Sequence, residues 1–172
     1  MKAVYATGTN YDDPLSVLEV GTMPEPETKP FWSTIRVNSA SVNHHDVWSL
    51  QGVGLSDEQT PMILGTDAAG VLQEDISVRK GLKAGSEVVL YTFIGTDGAG
   101  VMPGERRSIL SERYAGTMAE YTQVPSANVF AKPENLNFDE TAALGTSWLT
   151  AYSLLFTSAN VKPGDTVLVQ GA

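Results

Sequence analysis

The sequence predicts a mainly β fold as far as Ala131, followed by helix, a turn and one further buried strand. Three observations carry that expectation. Short β-type runs separated by clusters of Gly, Asn, Asp and Pro fill the chain from Lys2 to Phe93. Trp32–Val42 alternates with period two, setting Ser33, Ile35, Val37 and Ser39 on one face. Asn137-Phe138-Asp139-Glu140 is a capping box, which opens a helix where strand character ends.

Lys2–Ala6 and Leu15–Val20 read as a hairpin, because Gly8, Asn10, Asp12, Asp13 and Pro14 lie between them. Met23–Pro30 holds three prolines and so cannot be a paired central strand. After the long strand, Val47, Trp48 and Leu50 suit a short helix with Gly52 as the residue that ends it. Small residues crowd Gly65–Gly70, where backbone must pass close to a neighbour. Val71–Ile76 and Ser86–Phe93 are expected as strands joined by a loop carrying Arg79, Lys80, Gly81 and Gly85, and Ile94–Gly116 as a long excursion of low apolar density. Ala119–Pro125 and Asn128–Ala131 return to strand character. The helix from Asn137 pauses at Gly145, where Thr146 or Ser147 can cap a second stretch through Trp148, Leu149, Tyr152 and Leu155. Thr166–Val169 is a continuous run of the kind buried on both faces of a parallel sheet, and Gly171 follows it.

Composition narrows the function classes. Of 172 residues, 42% are hydrophobic and 18% charged, the profile of a globular chain. A formal charge of −9, with no dense Lys/Arg cluster, opposes binding to nucleic acid or to an anionic membrane surface. No apolar run approaches the ~18 residues of a membrane span, and Met1–Tyr5 starts as strand and not as a signal peptide, so a cytoplasmic location is expected. The absence of cysteine removes disulfides, thiolate nucleophiles and every sulfur-ligated zinc or iron–sulfur site.

The residues able to carry chemistry are few. His44 and His45 are the two histidines; on a helix they point ~100° apart, which makes joint metal ligation awkward. The plainer alternative makes one a surface residue and the other a hydrogen-bond donor beside Asp46. For Asp46 and Asp67, structural hydrogen bonding is the better expectation than a catalytic carboxylate pair. Trp32, Trp148 and Tyr152 read as core, with Trp48 open to lining a cleft. A buried strand ending at Gly171 is how a dinucleotide-binding turn begins, although an ordinary strand end has the same look.

Several segments, in order, resemble the medium-chain dehydrogenase/reductase superfamily of zinc alcohol dehydrogenases and quinone oxidoreductases. They are Ser41-Val42-Asn43-His44-His45-Asp46 with Gly52, Pro61 through Val71, Gly85-Ser86-Glu87-Val88-Val89, Gly116-Thr117-Met118-Ala119-Glu120-Tyr121, Leu149-Thr150-Ala151-Tyr152 and Val161 through Ala172. The resemblance implies a GroES-like β-barrel catalytic domain over residues 1–127, then the first helices and first strand of a truncated Rossmann domain over 128–172. It implies NAD(P)H as cofactor and a small-molecule carbonyl substrate. Zinc-dependent relatives place Cys at Asn43, His at Thr66, Glu at Asp67 and Cys or Asp near Thr146, so the resemblance implies no zinc here.

By the same resemblance His44 is a contact of the cofactor pyrophosphate, and His45 falls at a Ser/Thr proton-relay position. Asn43 lies near the nicotinamide, and Thr150 and Gly171 touch the cofactor. Asn43 and His45 are therefore the expected catalytic pair, with His44, Asn43, Thr150 and Gly171 binding cofactor. The expected function is a zinc-independent oxidoreductase passing hydride to a quinone, enone or other carbonyl, this chain alone being inactive. The alternatives are a zinc-type alcohol dehydrogenase with atypical ligands and a non-catalytic GroES-like interaction module. Residues 137–172, with their apolar face uncovered, are expected either to associate into a homo-oligomer or to be locally disordered.

Overall fold

The protein is described by a computed structural model covering residues 1–77, 81–95 and 107–170. Among the described residues, three antiparallel sheets make up the body. β1 (Lys2–Ala6) pairs with β2 (Leu18–Thr22) on one side and β4 (Met62–Ile63) on the other. The main sheet has the order β10-β6-β5-β3-β9, with β3 at Trp32–Ser41, β5 at Asp67–Leu72, β6 at Glu87–Leu90, β9 at Tyr121–Pro125 and β10 at Val129–Ala131. The third sheet pairs β7 (Phe93–Ile94) with β8 (Ser108–Ile109). This is the mainly β, GroES-like architecture expected, and β10 carries the main sheet past residue 127.

The alternation in β3 is realised: Ser33 and Ile35 are buried while Arg36 and Asn38 face solvent, and a bulge interrupts the ladder between Val37 and Ser39. Ile35 joins Leu72, Val88, Leu90, Ile94, Leu110, Val124 and Val129 in the larger core cluster. A smaller cluster of Ala6, Leu50, Leu55, Met62 and Leu64 lies under α1 (His44–Leu50), which buries Leu50 and ends at Gly52 with φ +87°. The close approach expected at Gly65–Gly70 is real. A Cβ on Gly70 would stand 2.2 Å from the Arg36 carbonyl oxygen across the β3–β5 ladder.

Beyond β10, the Asn137 capping box forms as expected. Its Oδ1 accepts from the Glu140 amide at 2.9 Å, and Glu140 Oε2 accepts from the Asn137 amide at 2.9 Å. α2 (Phe138–Ala142) packs on β3 and β5, burying Thr141 and Ala142. A π-helical turn, Leu144–Trp148, leads into α3 (Leu149–Tyr152) and a second π-helical stretch, Ser153–Ser158.

Several expectations are corrected. The strand expected at Val71–Ile76 instead starts at Asp67 and ends at Leu72, because pairing with β3 and β6 ends there. Thr166–Val169 is not a strand; Leu168 is 82% exposed, and no described strand pairs with it, so the run has no ladder to join. Trp148 and Tyr152, expected in the core, are 66% and 60% exposed. Neither Thr146 nor Ser147 caps a helix; Ser147 bonds back to the Ala143 carbonyl, and Thr146 turns toward the barrel. Within the expected excursion, Phe93–Ile94 and Ser108–Ile109 pair as a ribbon. Residues 96–106 of that tract, the basic pair Arg79-Lys80 and Gly171 lie outside the described residues. No helix among the described residues is long and apolar enough to cross a membrane.

Candidate active site

The chain leaves β3 at Ser41 and enters α1 at His44, so Asn43 stands at the N-cap position between sheet and helix. Asp46 closes this junction. One oxygen accepts from the Asn43 amide at 2.7 Å and the other from the Gly65 amide at 3.0 Å. Burial pushes the Asp46 carboxyl above its ordinary value, and those two amide donors pull it part of the way back.

Asn43 directs its side-chain NH₂ inward, to Asp67 Oδ2 at 2.9 Å, Thr66 Oγ1 at 3.1 Å and Ser41 Oγ at 3.3 Å. Asp67, fully buried in β5, also accepts from Ser41 Oγ at 2.8 Å and from Thr146 Oγ1 at 2.6 Å. Thr66 and Thr146 are 2.9 Å apart. A hydroxyl has one proton, and that of Thr146 goes to Asp67, so Thr66 donates to Thr146. The result is a closed ring running Asn43, Thr66, Thr146, Asp67 and back to Asn43, with every side-chain donor proton used inside it.

These are the four positions at which the resemblance places zinc ligands, and the fold does bring them together. The donor set is one carboxylate, one amide and two hydroxyls. Its linked atoms sit 2.6–3.1 Å apart. Ligand atoms around a tetrahedral zinc, at ~2.0–2.3 Å from the metal, stand ~3.3–3.8 Å from one another. Both the chemistry and the spacing are those of a hydrogen-bonded cluster and do not fit zinc. Among the described residues no group of three or more His, Cys, Asp and Glu side chains is placed to hold a metal ion.

The two histidines diverge as helix geometry requires. His44 is exposed, with its ring edge-on to Trp48 at 4.9 Å between centroids. His45 turns inward toward the segment after β8: its Nε2 lies 3.2 Å from Glu112 Oε1, and its Nδ1 lies 3.4 Å from Ser49 Oγ and 3.5 Å from Ser111 Oγ. Thr150 is exposed on α3. Sequence reading placed Asn43 and His45 side by side; the structure gives them separate partners. It had not singled out Glu112, which lies 67 residues from His45 in a tract of low apolar density with no motif to mark it.

Residues 29–134 match the family of the alcohol dehydrogenase GroES-like domain. The chain belongs to that family. With it comes membership of the medium-chain dehydrogenase/reductase superfamily, as the relatives agree. The chain is 30% identical to mouse "Synaptic vesicle membrane protein VAT-1 homolog", a match taking in 100% of this chain and 37% of that protein. It is 31% identical to "Crotonyl-CoA reductase" of Streptomyces avermitilis over 95% of this chain and 42% of the relative. Among solved structures, "NAD-dependent alcohol dehydrogenase" superposes with a TM-score of 0.81 at 35% identity, over 96% of this chain and 49% of that one. The GroES-like chain therefore spans about two-fifths of the length of these curated relatives and about half of that structure.

Proposed function

We propose that this GroES-like chain supplies the catalytic-domain side of a zinc-independent, NAD(P)H-dependent oxidoreductase acting on a quinone, enone or other small carbonyl substrate in the cytoplasm. The observation that carries the reading is the closed ring of Asn43, Thr66, Thr146 and Asp67 at the positions of the zinc ligands. Bound NAD(P)H would supply the hydride. His44 and Thr150, both exposed donors, are the residues of the described chain proposed to hold it, with Gly171 beyond the described residues.

Without a metal, the negative charge that develops on the substrate oxygen must be met by hydrogen-bond donors. Asn43 has spent its two N–H groups on Asp67 and Thr66, and the Gly65 amide is spent on Asp46. Asn43 accordingly acts by fixing the wall of the site near the nicotinamide. The proton donor is His45, whose imidazolium gives up one N–H to the substrate oxygen as hydride reaches the electrophilic carbon. The N–H electron pair stays on the ring.

Turnover of 1,4-benzoquinone with NADPH and with NADH, in the whole protein that carries this chain and in its His45→Ala and His44→Ala variants, tests this. His45→Ala should lower kcat by about 10²-fold or more, the usual contribution of a general acid, with cofactor KM unchanged. His44→Ala should raise cofactor KM at nearly constant kcat. A His45→Ala variant within about twofold of the parent between pH 5 and 8 would leave His45 an ordinary structural histidine.

A further inference from the structure

We infer that Glu112 is the positioning residue of His45, holding Nε2–H so that the nitrogen offered to a ligand is Nδ1; this rests on the reading of His45 as proton donor.

The carboxylate is built into its place. Its Oε1 faces His45 Nε2 at 3.2 Å, its Oε2 accepts from Ser108 Oγ at 3.0 Å, and its own backbone carbonyl accepts from Gln59 Nε2 at 2.8 Å. The loop after α1 makes room for it: a Cβ on Gly54 would stand 2.3 Å from Glu112 Oε1, and Gly54 has φ +81°, so the carboxylate lies directly against backbone that only glycine leaves open. The pair is mostly buried, with side chains 16% exposed for His45 and 24% for Glu112.

An ionised carboxylate can only accept, so the Nε2 that faces it carries the proton. In the neutral ring Nδ1 is then bare. In the imidazolium, Nδ1 carries the second proton and Glu112 offsets the charge from the far side of the ring. The partners of Nδ1 are the buried hydroxyls of Ser49 and Ser111 at 3.4 and 3.5 Å, the outer limit of a hydrogen bond, whereas Nε2 has a closer, charge-assisted partner. Nδ1 is therefore the nitrogen free to exchange partners. On transfer the Nδ1–H bond breaks, the substrate O–H bond forms, Nε2–H stays on Glu112, and water returns the lost proton.

With two histidines in the chain, nitrogen-15 NMR of its imidazoles separates them, and exposed His44 serves as an internal control. The protein should show a slowly exchanging His45 Nε2–H. Glu112→Ala should lose it, and Glu112→Gln, whose amide oxygen still accepts, should keep it. His44 should be unchanged throughout. If Glu112→Ala does not fold, Glu112→Asp, which withdraws the carboxylate by one methylene, should lose the signal instead. In 1,4-benzoquinone turnover by the whole protein that carries this chain, Glu112→Ala should lower kcat about tenfold or more at constant cofactor KM, with Glu112→Gln in between. His45 signals in Glu112→Ala identical to the parent, or a parent ring protonated at Nδ1 alone, overturn the inference. Slow turnover in His45→Ala but not in Glu112→Ala overturns it while leaving His45 as the acid. Undiminished turnover in both overturns the two readings together.

Discussion

The Thr146 hydroxyl donates to the Asp67 carboxylate across 2.6 Å, joining residues 79 apart in sequence and tying the first π-helical turn to the centre of the main sheet. Asp67 is fully buried, and its two oxygens collect donors from Ser41, Asn43 and Thr146. Its removal takes the shared acceptor away from three half-buried donors. An unsatisfied buried group costs about 1–3 kcal/mol, so Asp67→Ala should lose about 2–3 kcal/mol of stability. Thr146→Val keeps the shape and removes one donor, and should lose about 1–2 kcal/mol. Urea unfolding with an unchanged slope measures both. An Asp67→Ala loss below about 1 kcal/mol would mean that the ring is not closed in solution.

Gly70 and Gly164 separate two reasons for a glycine. At Gly70 an added Cβ would meet the Arg36 carbonyl oxygen at 2.2 Å, and that oxygen belongs to the backbone of the paired strand. Gly164 has φ +97° but nothing within 4 Å of the added atom. Gly70→Ala must push β3 and β5 apart and should cost more than about 3 kcal/mol. Gly164→Ala pays only left-handed backbone strain, about 1–2 kcal/mol. Equal shifts in thermal midpoint for the two variants would contradict this.

The parts of the fold that were legible in the sequence are those in which local pattern and tertiary packing agree. Period two in Trp32–Ser41, the Asn137–Glu140 box and Gly52 after Leu50 each encode their own geometry. Thr166–Val169 was not, since a strand exists only with a partner and nothing local supplies one. At the site, Asn43, Thr66, Asp67 and Thr146 were readable as equivalent positions in a resembling family, yet their mutual bonding was not. A ring closed by contacts 23, 24, 79 and 80 residues apart is a property of the packed chain. Glu112 was invisible for the same reason, its meaning lying wholly in the imidazole it meets.

Asp46 gives a pH test with a definite sign. Burial raises its folded-state value above the ordinary 3.8, so between 3.8 and that raised value the folded protein holds the proton more often than the unfolded chain does. The stability contributed by this proton is fully present below 3.8 and is lost as pH rises through the folded-state value. Asp46→Asn does not titrate. The stability of the parent relative to Asp46→Asn should therefore be greatest at the acid end and shrink as pH climbs out of that window, as followed by urea midpoints at a series of pH values. A difference that grows with pH would reverse the balance between burial and the Asn43 and Gly65 amides.

Metal content tests the ring most directly. Asn43, Thr66, Asp67 and Thr146 hold each other at hydrogen-bond distances, so a zinc ion would have to break every contact in the ring and spread its atoms apart, with one carboxylate as its sole charged ligand. The purified chain, dialysed against a chelator, should carry no tightly held zinc by elemental analysis, and added zinc should leave its thermal midpoint unmoved. Asn43→Cys combined with Thr66→His gives the same cluster a thiolate and an imidazole beside Asp67, three ligands of the kind zinc takes. That double variant should bind zinc and gain thermal stability from it, because an ion that binds only the folded state stabilises by mass action. About one zinc per parent chain, retained against the chelator, would show that the four positions open around a metal after all and would remove the basis for zinc-independent chemistry.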